Sequence, residues 1–463
     1  MSDSAKDGHT GGSGASAPRP TRDVLRSAGK AARERLAPSA FGDWRPAAGR
    51  PDPVALLIEQ GVSRVPELIP VRYGRMGVSP FTFYRGAALP MAADLAAHPS
   101  TGIRVQLCGD AHLSNFGLFA SPERDELFDI NDFDETLHGP FEWDLQRLAA
   151  SLVVAGRSRG FTAHDSRHAV HRSMRSYRER MSQYAGIRAI DVYYSSVAVS
   201  SIMTYVDKRA RPMIASAMKS AAHHDSMHEL PKLTSVIGGS RRIIDHPPVI
   251  VHRPDVTNPL VATVLASYRE SLQEDRRVLL DRYQVVDYAM KVVGVGSVGL
   301  GAFAALLDGG SDDDPLFLQV KEAQASVFER FLGPSGQPSH GARVVAGQRR
   351  LQAASDVLLG SAVGTNGHHW YIRQLQDQKA SAIVEVMTED DLATWGELCG
   401  WALARGHARS GEPSTIAGYL GDDDAFDHAM GTFAEAYADQ TERDFAAFSA
   451  AIASGRIVAE AGV

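Results

Sequence analysis

A chain of 463 residues, 44% hydrophobic and 22% charged, is long enough to bury a large core in two or more lobes and has the balance of an ordinary globular protein. A formal net charge of −7 argues against nucleic acid as the partner, and no apolar run approaches the roughly 20 residues that span a bilayer, so no membrane association is expected. Two cysteines, Cys108 and Cys399, give no support to a disulfide framework or a cysteine metal site, and the compartment expected is the cytoplasm.

Residues 1–21 are polar and rich in Gly, Ser and Ala, without the apolar core of a signal peptide, which predicts a disordered tail. A basic helix is predicted over 22–36 and another over 51–60, around Val54, Leu56 and Leu57. The aromatic and basic stretch 72–86 reads as a loop leading into a short strand. Apolar alternation over 103–107 predicts a strand that delivers Asp110 onto a loop. Segments 116–120 and 127–130 read as two further strands joined by a hairpin turn. Helices then dominate, over 141–154, 164–184, 190–206 and 257–283, with 238–254 as a long connection. From 285 the pattern changes to short apolar runs between glycines, with strands over 285–293, 302–307 and 316–320. A helix over 342–358, a strand over 369–375 and helices over 390–408 and 424–451 close the chain. The organisation predicted is α+β: a mainly helical lobe (22–284), a β-rich lobe (285–385) and C-terminal helices packing on the helical lobe (386–463).

Chemistry concentrates in two places. Cys108-Gly109-Asp110-Ala111-His112-Leu113-Ser114-Asn115 is followed by Phe128-Asp129-Ile130-Asn131-Asp132-Phe133-Asp134. In-line phosphoryl transfer needs a positioned hydroxyl, metal-neutralised phosphates and an acceptor for the departing proton. Asp110 is the candidate base, with Asn115 and Asp132 as hard oxygen ligands suited to Mg²⁺. His112 reads as a loop-orienting or substrate-touching group, a structural hydrogen bond being its plainer role. Asp129 and Asp134 are candidates for a second ligand, with solvent exposure the simpler expectation. Two Asp/Asn-rich turns that satisfy their own backbone would look similar; that both follow apolar strand-like runs favours a site.

The second place is Gly294-Val295-Gly296-Ser297-Val298-Gly299, followed by the strand that ends in Lys321. Glycines let backbone amides approach phosphate without interference from Cβ, and Gly294, Gly296, Ser297, Gly299 and Lys321 become candidate ATP-binding residues. The same spacing also fits a dinucleotide fingerprint, with a helix over 300–307 and Glu322 on the ribose, which would make the chain an NAD(P)-dependent oxidoreductase. A plain glycine-rich hairpin is the third reading. Only a short apolar run separates Gly301 from Gly309-Gly310, tight for a crossover of about a dozen residues, which favours the phosphate loop.

Gly109-Asp110-Ala111-His112-Leu113-Ser114-Asn115 resembles the Gly-Asp-x-His-x-x-Asn catalytic loop of aminoglycoside phosphotransferases and choline kinases. Asn131-Asp132-Phe133-Asp134 resembles their metal-binding loop, and Glu142-Trp143-Asp144-Leu145 the short motif whose aspartate braces the catalytic loop. Leu316-Phe317-Leu318-Gln319-Val320-Lys321 resembles the kinase strand whose lysine pairs the nucleotide phosphates. From about 22 to 450 the chain also resembles the bacterial "domain of unknown function 2252" proteins, through Phe83-Tyr84-Arg85-Gly86, Gly347-Gln348-Arg349 and His407-Ala408-Arg409-Ser410-Gly411. That likeness names no substrate.

The kinase resemblance implies a two-lobed fold, with ATP and Mg²⁺ as cofactors and a small-molecule hydroxyl as acceptor. The chain order is reversed, since the Asp110 loop precedes Gly294 by about 180 residues. A circular permutation follows, tolerable where the original termini lie close and the cut falls in an exposed loop. The 369–375 strand would then supply the hinge. The 342–358 helix carries no glutamate to pair with Lys321, so Glu329 is the substitute expected and Glu322 its rival. That departure keeps a weak or inactive nucleotide-binding regulatory module among the readings. Arg72, Arg75 and Arg85 could recognise a carboxylate or phosphate on the substrate, or be surface arginines beside a packed aromatic turn. Arg373 and Lys379 are weaker candidates, and His223 and His224 read as a polar loop.

Overall fold

The computed structural model describes residues 19–460 apart from 209–210, 223–225, 239, 293, 295, 297, 312–313 and 376–379. Most of the tail expected over 1–21, together with Ser297, His223, His224 and Lys379, lies outside them. The fold is mixed α+β, with several small sheets set among helices.

Four long helices form the main core: Phe141–Arg159, Ala163–Gly186, Glu389–Ser410 and Ala425–Ala453. The first is buried almost all round from Phe141 to Gly156, as expected for a helix in the middle of a large core. Local signals set the ends: capping boxes at Thr162/Asp165 and Thr388/Asp391 start the second and third helices. Among the described residues no helix is long and apolar enough to cross a membrane.

Strands β1 (Arg104–Leu107), β2 (Phe116–Ala120), β3 (Glu126–Ile130) and β4 (Leu137–Pro140) frame the first motif, with β1 antiparallel to β4 and β2 to β3. A hairpin of β5 (Thr234–Ile237) and β6 (Ser240–Ile243) follows. The largest sheet has six strands: β7 (Ile250–Val251), β8 (Gln284–Lys291), β9 (Ala302–Asp308), β10 (Pro315–Glu322), β11 (Gly360–Val363) and β12 (His369–Gln374). Their order is β11-β12-β10-β9-β8-β7, antiparallel throughout. A short β13 (Ala380–Ser381) pairs with β2. Helix Asn258–Ser271 covers one face of the large sheet, where Val264 and Tyr268 pack with Leu307, Leu318 and Ile372.

Most predicted elements form close to their expected limits, and the departures have local causes. The 72–86 stretch is two helices, Ile69–Met76 and Pro80–Gly86, rather than a loop and a strand. Ser79 and Thr82 form a capping box, and Pro80 in the first turn is preset for helix, so the second half of the stretch starts a helix where a short strand was expected. The 190–206 helix breaks into Ala189–Tyr194 and Val199–Tyr205, the 257–283 helix into Asn258–Ser271 and Glu274–Leu280, and the helix expected over 342–358 spans His340–Leu351. The expected connection 238–254 contains β6 and β7, and helix Pro413–Leu420 was not anticipated. The dinucleotide reading needed a helix over 300–307. From Ala302 on that segment is β9, antiparallel to β8, so the βαβ crossover on which the reading rested does not form.

Candidate functional site

β1 runs into Cys108 and Gly109, and the backbone there is held by a single carboxylate. Asp144, in the first turn of helix Phe141–Arg159, accepts the N–H of Cys108 (2.8 Å) and of Gly109 (3.0 Å). Its Oδ2 also lies 3.2 Å from Nε2 of the buried His407, whose Nδ1 lies 2.9 Å from the Tyr177 hydroxyl. The brace expected of Asp144 is present, reinforced by a histidine and a tyrosine from two other helices. Gly109 has φ +93°, and a Cβ there would sit 2.2 Å from the Glu135 carbonyl oxygen. Only glycine allows the first loop to lie this close to the second.

The carboxylate of Asp110 points out of this braced turn. It accepts Nε of Arg147 at 2.8 Å, from one turn further along the helix that carries Asp144. Arg147 is buried, donates to the Tyr84 carbonyl at 2.8 Å and stacks 3.9 Å over the Tyr84 ring. Burial alone would lower its pKa; the negative charge of Asp110, aided by Tyr84, raises it instead. His112 is buried, and desolvation with the nearby Arg85 and Arg147 charges pushes it well below its usual value, which keeps the ring neutral. Its Nε2 is 3.8 Å from Asp110 Oδ2. Asn115 donates its amide Nδ2 to the Asp110 carbonyl (2.8 Å), so the side-chain oxygen is the atom left to meet a cation. The Asn115 carbonyl accepts the Asn131 N–H at 2.8 Å, tying the first loop to the second.

The second loop leaves β3 and meets the large sheet. Cross-strand register sets Lys321 of β10 opposite Tyr371 of β12, and Gln319 opposite Arg373. The pleat turns these four toward the same face. Lys321 Nζ lies 2.8 Å from Asp134 Oδ2 and 4.0 Å from Asp132 Oδ2, and the Tyr371 hydroxyl donates to Asp134 Oδ1 at 2.6 Å. Arg373 donates to the Asn131 carbonyl at 3.2 Å. Burial works to raise the Asp134 carboxyl, but the charge and hydrogen bond of Lys321, with the Tyr371 hydrogen bond, outweigh it and hold the group at about 2. Asp132 goes the other way, raised by burial and by the Asp134 charge.

Three expectations are corrected here. Asp134 is not a solvent-facing flank but the ion-pair partner of Lys321. Asp129 is fully buried, accepting Arg405 Nη2 at 2.6 Å and the Ala353 N–H at 2.9 Å. Breaking a buried pair strands its partner's charge, so Asp129→Ala is expected to cost about 3 kcal/mol of stability, read as a lower denaturation midpoint. Glu329 does not reach Lys321; its Oε1 lies 3.4 Å from Arg343 Nε and 3.8 Å from His340 Nδ1. Glu322 is also engaged elsewhere, accepting the Gly301 N–H (3.0 Å) and lying 2.9 Å from His368 Nδ1.

Asp110, His112, Asn115, Asp132, Gly294, Gly296 and Lys321 line one cavity of about 250 Å³, so segments far apart in sequence share a wall. Gly299, at φ +88°, packs against Arg64, whose Nη1 donates to the Val298 carbonyl at 2.5 Å, while the Val65 N–H donates to the Gly299 carbonyl at 2.7 Å. Arg72, Arg85 and Arg373 are also in the wall; Arg75 is not. A second cavity of about 630 Å³ adjoins it across Arg64, Asp134 and Glu135. Sequence reasoning missed Arg64, Arg147 and Tyr371. Arg147 was discoverable, lying one helical turn beyond Asp144, and Tyr371 lies two residues from Arg373 on one strand face; Arg64 carried no signal.

Among the described residues, no cluster of three or more His, Cys, Asp or Glu is gathered to hold a metal. Asp132 and the Asn115 amide oxygen are nonetheless a fit for Mg²⁺, which takes one or two protein oxygens and completes its shell with phosphates and water.

This mixed α+β fold, with its braced aspartate loop and lysine-bearing antiparallel sheet, carries the profile of a bacterial protein family over residues 64–451. The chain belongs to that family, described as "Uncharacterized protein conserved in bacteria (DUF2252)". Neither the curated proteins nor the solved structures contain a significant match to it.

Proposed function

We propose that the chain is an ATP- and Mg²⁺-dependent phosphotransferase acting on a hydroxyl of a small molecule, with a kinase-like fold whose parts come in permuted order. The observation that carries this reading is the shared cavity: Gly294, Gly296 and Lys321 converge with Asp110, Asn115 and Asp132. A glycine loop between antiparallel strands, then a lysine strand, then a helix (His340–Leu351) is the run of parts with which protein kinases hold nucleotide phosphates. In this reading Asp110 aligns the acceptor hydroxyl and takes its proton, held in place by Arg147. Lys321 and the glycine loop bind the phosphates, while Asn115 and Asp132 hold Mg²⁺. The ion, when bound, neutralises phosphate charge. Neutral His112 lines the acceptor side.

A second reading, a nucleotide-binding regulatory module without turnover, is favoured by one observation. Lys321 is paired with Asp134 rather than with a helix glutamate, and the 340–351 helix presents Arg343 to the Asp134 carbonyl instead. Calorimetric titration with ATP, with and without Mg²⁺ and beside NADH, tests the proposal. Mg²⁺-dependent ATP binding followed by ATP consumption in an acceptor screen is expected. Binding of NADH alone, or of neither, would sink it, and binding without consumption would leave the regulator.

A further inference from the structure

The cavity wall holds more positive charge than these roles use. Arg72 is 1% exposed; its Nη2 donates to Gln60 Oε1 (2.8 Å) and the Gly86 carbonyl (3.0 Å), while Nε and Nη1 have no acceptor. Arg64 is 8% exposed and its Nε is likewise without an acceptor, as is the buried Nε of Arg85. A guanidinium is a rigid fork of five donors, and leaving such donors dry and unmatched is costly. Three of them on one wall call for an acceptor. Burial pushes all three guanidiniums below their usual value, Arg64 to about 10, and Arg72 is lowered further by the Arg64 charge. Of the carboxylates that face them, Asp134 and Glu322 near Arg64 are engaged by Lys321 and His368, Glu385 also faces Arg85, and the remaining two are committed elsewhere. Glu135, toward Arg64, is raised by burial to about 7 and accepts the Val327 N–H, and Asp110, toward Arg85, is held by Arg147.

We propose that Arg64, Arg72 and Arg85 form an oxyanion subsite, distinct from the place of the nucleotide phosphates, for an acid group (carboxylate or phosphate) on the hydroxyl acceptor. The assignment to the acceptor rests on the phosphotransferase reading. Arg85 shares the cavity wall with Asp110 and His112, the groups on the acceptor side, and its charge reaches both, whereas Lys321 and the glycine loop answer for the nucleotide. The planar fork suits two-point recognition of such an acid.

Inorganic phosphate, titrated calorimetrically into the full chain, tests this, first alone and then with Mg²⁺ and a non-hydrolysable ATP analogue at saturation. Phosphate is expected to bind in both states. Arg85→Gln and Arg72→Gln should each weaken it by about tenfold or more, with analogue affinity within about threefold of wild type. Thermal melts show that each variant folds, and either alone suffices for the comparison. Phosphate that competes with the analogue, that ignores both substitutions or that fails to bind wild type overturns the subsite. Failure of the analogue to bind wild type, with phosphate binding still arginine-dependent, overturns the phosphotransferase reading and the acceptor assignment with it. The two failures are therefore read on separate titrations.

Discussion

Asp110→Asn is expected to reduce phosphoryl transfer by about three orders of magnitude while leaving Mg²⁺-dependent ATP affinity within about threefold of wild type. The substitution keeps the side chain's shape and removes its ability to take a proton. Asp110 sits on the loop braced by Asp144, one of its oxygens 2.8 Å from Arg147 Nε, so its orientation is imposed by neighbours and not by the nucleotide. The phosphate-binding groups, Lys321 and the glycine loop, come from other strands and should be unaffected. Turnover on the acceptor found by an ATP-consumption screen, beside calorimetric ATP binding, separates the two effects. Undiminished turnover would remove Asp110 from the chemistry. Equal losses in turnover and ATP binding would mean that it acts on the nucleotide.

What the sequence revealed and what it hid follow from the range of the forces involved. Strands at 103–107 and 316–320 were legible because an apolar run bounded by glycine or polar residues is a local pattern, and so was the loop each one presents. The convergence of Lys321 with Asp132 was inferred only through resemblance, because register across β10 and β12 is a non-local property. The misreadings share that cause. Asp129 and Asp134 look alike as neighbours of Asp132, yet one faces Arg405 inside the helical core and the other Lys321 from the sheet. Which way a carboxylate turns on a strand or tight loop depends on partners more than 180 residues away. Glu329 was chosen for its nearness in sequence to Lys321, and the fold gave it to Arg343 and His340 instead. The helices over 69–86 were missed for a local reason, a capping box at Ser79 and Thr82 inside an aromatic and basic stretch read as a loop and a short strand.

Asp132→Ala is expected to abolish the Mg²⁺ dependence of ATP binding, lowering affinity in the presence of Mg²⁺ by about tenfold to a hundredfold and leaving affinity in its absence nearly unchanged. The argument turns on how the two neighbouring carboxylates divide one lysine. Lys321 lies 2.8 Å from Asp134 but 4.0 Å from Asp132, and Asp134 has the Tyr371 hydroxyl as well. Asp134 is thus satisfied, and its carboxyl is held low. Asp132 is partly buried, repelled by Asp134 and only distantly offset by Lys321, so its carboxyl is pushed up. A carboxylate in that condition gains most from a divalent cation, whose charge would draw it back to the ionised form. Asp134→Asn should act differently, freeing Lys321 and weakening ATP binding with or without the metal. Asp129→Ala supplies the control, since it should melt at a lower midpoint yet keep the wild-type ratio of affinities with and without Mg²⁺. An unchanged Mg²⁺ dependence in Asp132→Ala would move the metal site away from this loop.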